Sequence, residues 1–276
     1  MSIVPGPLLP LLCLSLLLSG CGHLSRPAAN ADTVLKGQAV VLLGEVHDNA
    51  DGHQQRYLLL RQAVDAGWRP AVAMEQFDRE HQAALTQAQR DCGQDANCII
   101  RAGGGEGASW TWDYYKPVLL LAQAHGLPLI AANLSRREAG LLVRKGVAEL
   151  AADDVVLRQS LAAVPADLQQ GQEHAVAVGH CNQLPERLLP AMATAQIARD
   201  VVMAEALRPW RERGVVLLAG NGHVRRDLGV PRWILETVSI AFAEPAGEDA
   251  TVAGRYDRVI AIAGQEREDP CRNVKK

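Results

Sequence analysis

The chain has 276 residues, with 28 Lys and Arg against 31 Asp and Glu, giving a formal net charge of −3. Hydrophobic residues make up 48% and charged residues 21%, enough apolar material for a large core, which excludes a disordered chain and argues against nucleic acid as a partner. Aromatics are scarce at 4%, so helices packed closely on a sheet are expected in preference to an aromatic-rich sandwich.

Met1 to Gly20 carry no Asp, Glu, Lys or Arg. Within them Leu8 to Leu18 form an apolar stretch, broken by Pro10, that falls short of the roughly 20 residues a membrane helix needs. Residues 1–20 therefore read as a signal peptide. The leader ends in Leu18-Ser19-Gly20-Cys21, which resembles the bacterial lipobox, where small residues fit the signal peptidase and the Cys21 thiol accepts diacylglycerol before cleavage. Cys21 then becomes the lipidated first mature residue of a palmitate-bearing lipoprotein. Met1 to Pro7 depart from the pattern in containing no Lys or Arg. Gly22, in the place where an Asp would favour the inner membrane, points to the outer membrane of a Gram-negative cell envelope. Residues 21–33 are polar and Pro-containing, and read as a tether from the lipid to the domain.

The remainder predicts one α/β domain over residues 34–264, with a mainly parallel sheet flanked by helices, and a short tail over residues 265–276. Ala39 to Leu43 is an unbroken apolar run ending at Gly44, as in a strand buried on both faces. Gly52 to Ala66 has helical spacing and stops at Gly67. Ala71 to Met74 predicts a second strand, Pro117 to His125 a helix capped by Gly126, and Leu127 to Ala132 a third strand. Gln89 to Trp112, with Gly103-Gly104-Gly105, reads as loop, and Ser135 to Leu168 as a helical cap. Leu184 to Arg213 predicts a long helical segment interrupted near Pro190 and Pro209, followed by strands at Val215 to Ala219, Val238 to Ala243 and Arg258 to Ala263.

An exported chain meets an oxidising environment, so Cys92, Cys98, Cys181 and Cys271 are disulfide candidates. Turn formers between Cys92 and Cys98 let the chain reverse and favour that pair, which leaves the pairing of Cys181 and Cys271 open. A Cys-based zinc site is disfavoured because no C-x-x-C occurs.

One internal echo carries the chemistry. Val40 to His47 and Val215 to His223 each read as a buried strand followed by G-x-x-H, and in parallel sheets the ligand crevice lies outside the carboxyl ends of the strands. His47 and His223 are thus expected in one site. Glu45, two residues before His47, sends its carboxylate to the same side and can fix the imidazole tautomer. Glu75 follows the second apolar run and faces the same crevice, although an acidic residue there also suits a helix start. His180, after Gly179, is a weaker candidate, while His23, His53, His81, His125 and His174 fall in helical or linker contexts and read as solvated. Trp110, Trp112, Tyr114 and Tyr115 cluster after the Gly-rich run, where they could form an apolar wall or supply an axial iron ligand; a plain core anchor is the competing reading. Arg225 and Arg226 could meet carboxylates of a ligand or lie on the surface.

These residues resemble the ChaN-like family of haem-binding lipoproteins, within the wider group of Tiki, TraB and erythromycin esterase proteins. The resemblance runs from about Val34 to Ala263 through Leu43-Gly44-Glu45-Val46-His47, Glu75, Trp112 to Pro117, Ala131-Ala132-Asn133, Gly179-His180-Cys181, Ala195 to Asp200 with Met203-Ala204, and Ala219 to His223 leading to Gly229-Val230-Pro231. Each motif is weak alone, and their order is specific. The resemblance implies haem as cofactor, a lipid anchor and a part in haem or iron uptake. Tyr115, His47 and His223 are the candidate iron ligands, and Arg225 and Arg226 the cations for propionates. An outer-membrane haem receptor and a second copy of the chain, as a homodimer, are the partners it brings into consideration. The same resemblance offers an enzyme as the alternative: a metal-dependent hydrolase, protease- or esterase-like, using Glu45, His47, Glu75 and His223 around a divalent metal such as zinc.

Overall fold

A computed structural model describes residues 1–2, 35–106, 109–150, 154–245, 247, 252–268 and 271–272. Apart from Met1 and Ser2, the expected signal peptide, Cys21 and the tether with His23 lie outside the described residues. Six strands, β1 (Val40–Leu43), β2 (Ala71–Asp78), β3 (Leu129–Asn133), β4 (Val215–Leu218), β5 (Thr237–Ala243) and β6 (Arg258–Ala261), form one sheet in the order β3-β2-β4-β1-β5-β6. Every neighbouring pair is parallel, as the unbroken apolar runs predict. The two halves of the sequence echo are adjacent strands, paired from Val40 with Val215 to Leu43 with Leu218.

The helices are α1 (Ala50–Asp65), α2 (Gln82–Asp91), α3 (Ala96–Ala102), α4 (Lys116–His125), α5 (Arg136–Lys145), α6 (Val147–Leu150), α7 (Val155–Ala162), α8 (Ala166–Gly179), α9 (Leu189–Leu207) and α10 (Asn221–Val224). Alternate strand residues point to opposite faces. On one face Val41 and Leu43 join Leu60, Val64, Leu85, Ile99 and Leu119 of α1 to α4. On the other, Val40 and Leu42 meet Met203, Ala204 and Leu207 of α9. A third apolar cluster holds α5, α7 and α8 against the amino-terminal half of α9 through Leu142, Leu157, Leu161, Leu168 and Ile197. This is the expected cap, and it continues beyond Leu168 to the end of α8. Ser135 starts it with a reciprocal capping box to Glu138, a device that ties down two backbone donors otherwise left unpaired.

Two expectations need correction. Gln89 to Trp112 is not a plain loop, because α2 runs to Asp91 and α3 occupies its middle. Asp95 caps α3 by accepting from the N–H groups of Asn97 and Cys98, an N-cap interaction of about 1 kcal/mol, and the Cys92–Cys98 disulfide closes the turn before it. Pro190 lies in the first turn of α9, where its missing N–H costs nothing, so it starts that helix without interrupting it.

The segment after β6 is fastened at several points. Asn49 donates to the Ala263 carbonyl and Ala263 N–H donates to Asp51. Arg267 forks between Asp48, at 2.6 and 2.8 Å, and Glu244, at 2.7 and 2.9 Å. The Arg267 guanidinium holds the Glu244 carboxyl down at about 2. Cys271 is bonded to Cys181 just past α8, which resolves the pairing that the sequence left open. Among the described residues no helix is long and apolar enough to cross a membrane.

Candidate functional site

The loops after β1 and β4 open into one cavity of about 550 Å³, within the range of small-molecule and cofactor sites. Glu45 to Asp48 and Gly220 to His223 form its floor, and Gln172, Ala175, Val176, Gly179 and His180 of the cap form the facing wall. His47 and His223 therefore share one crevice, as the paired G-x-x-H motifs predict. Gly220 is required between them: a Cβ there would stand 2.9 Å from His47 Nε2 and 3.7 Å from Glu75 Oε2.

Glu45 is a buried hub, 2% exposed. Its Oε1 accepts from the Tyr115 hydroxyl at 2.5 Å, from His47 Nδ1 at 2.7 Å and from Gln76 Nε2 at 3.3 Å, while Oε2 is paired with Arg56. The carboxylate fixes the His47 proton on Nδ1 and leaves Nε2 as a lone-pair donor on a side chain that is 48% exposed. Tyr115 is fully buried beneath Glu45 and does not line the cavity. Burial, outweighing the nearby Arg56, pushes its phenol well above the usual range, so it acts as a neutral hydrogen-bond donor to Glu45. Trp110 meets His47 edge-on at 5.1 Å and Tyr115 at 5.9 Å, so the aromatic cluster buttresses the imidazole from the core side.

Sequence reasoning missed His53 and Arg56. His53, expected to be solvated, is 3% exposed and stacks on Tyr114 at 4.7 Å. Its Nδ1 accepts from Arg56 Nη2 at 3.0 Å, so Nε2 carries the proton and donates to the His47 carbonyl at 2.9 Å. Burial lowers its pKa and keeps it neutral. The signal was available in α1, where His53 and Arg56 fall in register with Leu60, Ala63 and Val64 on the buried face.

Glu75 lies inside β2, not after it, because the strand continues to Asp78 across a break in its pairing with β3. Near that irregularity consecutive side chains both reach the site, Glu75 accepting from Gly220 N–H at 2.8 Å and Gln76 donating to Glu45. His223 is held between two acids: Nδ1 donates to Asp200 at 2.6 Å, and Nε2 lies 3.5 Å from Glu75 Oε1. Burial opposes its positive charge, but Asp200 and Glu75 outweigh that and raise its pKa. Asp200 is fully buried in the Ala-rich α9 and went unread as a site residue, although an acid set among the apolar residues of such a helix is itself a signal. Arg225 lines the cavity while forked onto Asp227, and Arg226 is directed away to Asp257 and the Thr237 carbonyl.

The haem-binding uptake family of the Tiki superfamily, ChaN, matches residues 33–234. The chain belongs to this family. ChaN of Campylobacter jejuni, whose solved structure is described as binding haem cofacially, is similar with a TM-score of 0.66 at 20% identity over 82% of this chain and 88% of that one, a likeness in fold. Two further structures resemble the chain more loosely: the type III effector HopBA1, with a TM-score of 0.48 at 16% identity over 87% of this chain and 95% of that one, and an erythromycin esterase mutant in its open conformation, with 0.46 at 15% over 77% and 72%. No curated relative matches the chain.

Within this ChaN-family chain the site suits haem better than a divalent ion. Glu45 is committed to Arg56 and Tyr115, and Glu75 to Gly220. Among the described residues, three or more potential metal-binding atoms come within 4.8 Å of one another at Asp78, Glu80 and His81, and not at Glu45, His47, Glu75 and His223. The cavity instead offers an open imidazole nitrogen, apolar walls at Val46, Ala175, Val176 and Leu228, and a cation at Arg225.

Proposed function

We propose that the crevice at the carboxyl ends of β1 and β4 binds haem and that the chain takes part in haem or iron uptake while anchored to the outer membrane through lipidated Cys21. The observation that carries this reading is the His47 imidazole, its Nδ1–H locked by Glu45 and its Nε2 open to an apolar-walled cavity. Haem, when bound there, would supply an iron that can take an imidazole donor, and a flat apolar ring that can lie against the cavity's apolar walls. In this reading His47 is the donor, Arg225 meets a propionate, Tyr115 and Arg56 hold Glu45, and His223 is tied down between Asp200 and Glu75. The donors first expected at Tyr115 and His223 are thus given supporting roles. Family membership supports haem as the ligand, and the lipobox-like leader supports the anchor.

Titrating the intact protein in mild detergent with haemin is expected to give a saturable Soret shift, and His47→Ala to weaken binding by at least about tenfold. Stoichiometric zinc in the untreated protein, with ester or peptide hydrolysis that His47→Ala abolishes and no saturable Soret shift, would replace this reading by the hydrolase. For the anchor, Cys21→Ser is expected to move the protein from the membrane to the soluble fraction. Unchanged fractionation and no acyl group by mass spectrometry would refute it.

A further inference from the structure

The run Gly103-Gly104-Gly105 takes no part in the crevice, and each of its glycines receives a ring. A Cβ at Gly103 would overlap Phe77, and one at Gly105 would overlap Trp112. One at Gly104 would stand 2.6 Å from Cε1 of His81 and 2.8 Å from each of its nitrogens. Gly104 also adopts φ 77°, in the left-handed region where side-chain-bearing residues are strained. His81 is thus laid on a backbone cradle, although its helical context suggests solvent. The ring is only partly exposed, and its Nδ1 is buried without a hydrogen-bond partner. Buried polar atoms are ordinarily paired, so an orphaned imidazole nitrogen calls for an occupant.

Two carboxylates stand beside that imidazole. Asp78, the last residue of β2, holds the N-cap position of the single 3-10 turn Arg79–His81, where an Asp usually accepts from backbone N–H groups. It makes no such bond. Among the described residues its carboxylate has no hydrogen bond or ion pair, and burial, outweighing Arg199, raises its pKa. Glu80 holds Arg137 at 3.0 Å through Oε2 alone, and the Arg137 side chain is 72% exposed and easily displaced. The other nearby cations are turned elsewhere, Arg79 to Glu138 and Asp154 and Arg199 to Asn133. One ligand atom each from Asp78, Glu80 and His81 lies within 4.8 Å of the others, and none of the three residues lines the crevice. Solvation would account for exposed acids, but not for an uncapped Asp beside an imidazole seated on glycine.

We propose that Asp78, Glu80 and His81 form a site for a divalent first-row transition ion such as zinc, separate from the crevice, with water in its remaining positions. One imidazole nitrogen with two carboxylate oxygens suits such an ion, whereas calcium and magnesium take oxygen ligands. The ion neutralises both carboxylates and closes the turn around Arg79, which ties the end of β2 to the cap through Glu138 and Asp154. This stands independently of the haem reading. Calorimetric titration of the chelator-treated intact protein in mild detergent with zinc is expected to show one equivalent bound. His81→Ala and Asp78→Asn should each weaken that binding by at least about tenfold. Glu80→Gln, at an exposed position that leaves folding intact, should weaken it in the same direction. Cobalt in place of zinc should give visible d–d bands that His81→Ala alters. Zinc should raise the unfolding midpoint of the wild type and not that of Asp78→Asn. Zinc affinity unchanged in His47→Ala separates this site from the crevice, and calcium and magnesium should not compete. Absence of zinc binding in the wild type, or binding that survives all three site variants and is lost in His47→Ala, overturns the site and leaves haem binding to its own titration.

Discussion

Replacing Glu45 with Gln is expected to destabilise the fold by about 3 to 5 kcal/mol, the cost typical of removing one partner from a buried ion pair. Arg56 is 1% exposed, and burial has already lowered its pKa to about 10 against the pull of Tyr115 and Glu75. Its Nε lacks a partner, so little remains to hold the cation once the carboxylate is gone. A glutamine also fits badly in its own right: Oε1 can still accept from Tyr115 and His47, but its NH₂ then faces the Arg56 guanidinium, donor against donor. Urea unfolding followed by circular dichroism checks the magnitude. A loss under about 1 kcal/mol would mean that Glu45 is not the hub described. Converting both partners to apolar residues, Glu45→Leu with Arg56→Met, should recover much of the loss, since a buried pair contributes little net stability over a well-packed apolar replacement. The same double variant should still lose haemin affinity, because His47 has lost the acceptor that fixes its tautomer.

The second large effect is expected from the disulfides, with the two bonds ranked by loop length. Closing 90 residues between Cys181 and Cys271 stabilises by about 4 to 5 kcal/mol in the chain-entropy picture, whereas closing six between Cys92 and Cys98 gives about 2. Paired serine substitutions at each bridge, compared by denaturant midpoint, should show the longer loop costing roughly twice the shorter. Equal or reversed losses would refute the ranking. Only the Cys181 and Cys271 substitutions should also weaken haemin binding, because only that bond braces the cap wall.

Much of this architecture was legible because the apolar runs are unbroken. Val40 to Leu43 and Val215 to Leu218 could serve only as strands buried on both faces, and their shared G-x-x-H tails foretold that His47 and His223 would meet. What escaped was polarity placed where the pattern expects apolar residues. His53 and Arg56 occupy the inner stripe of α1, and a reading that assigns polar helical residues to solvent reverses their position. Asp200 escaped for the same reason inside α9. Tyr115 was expected among the candidate iron ligands, and its burial under Glu45 is something no spacing reveals. The short helix α3 was hidden by glycines and turn formers that close its ends.

The Cys181–Cys271 bond also makes the cap answer to the redox state of its surroundings. Its two cysteines lie 90 residues apart in the chain, so the bond joins parts of the molecule that only folding brings together. A reductant that opens it frees both thiols at once and leaves Cys181, the residue after His180 of the cavity wall, without its covalent tie to a distant segment. The same sheet can therefore carry a tethered or an untethered cap wall, according to the oxidising power of the compartment in which it folds.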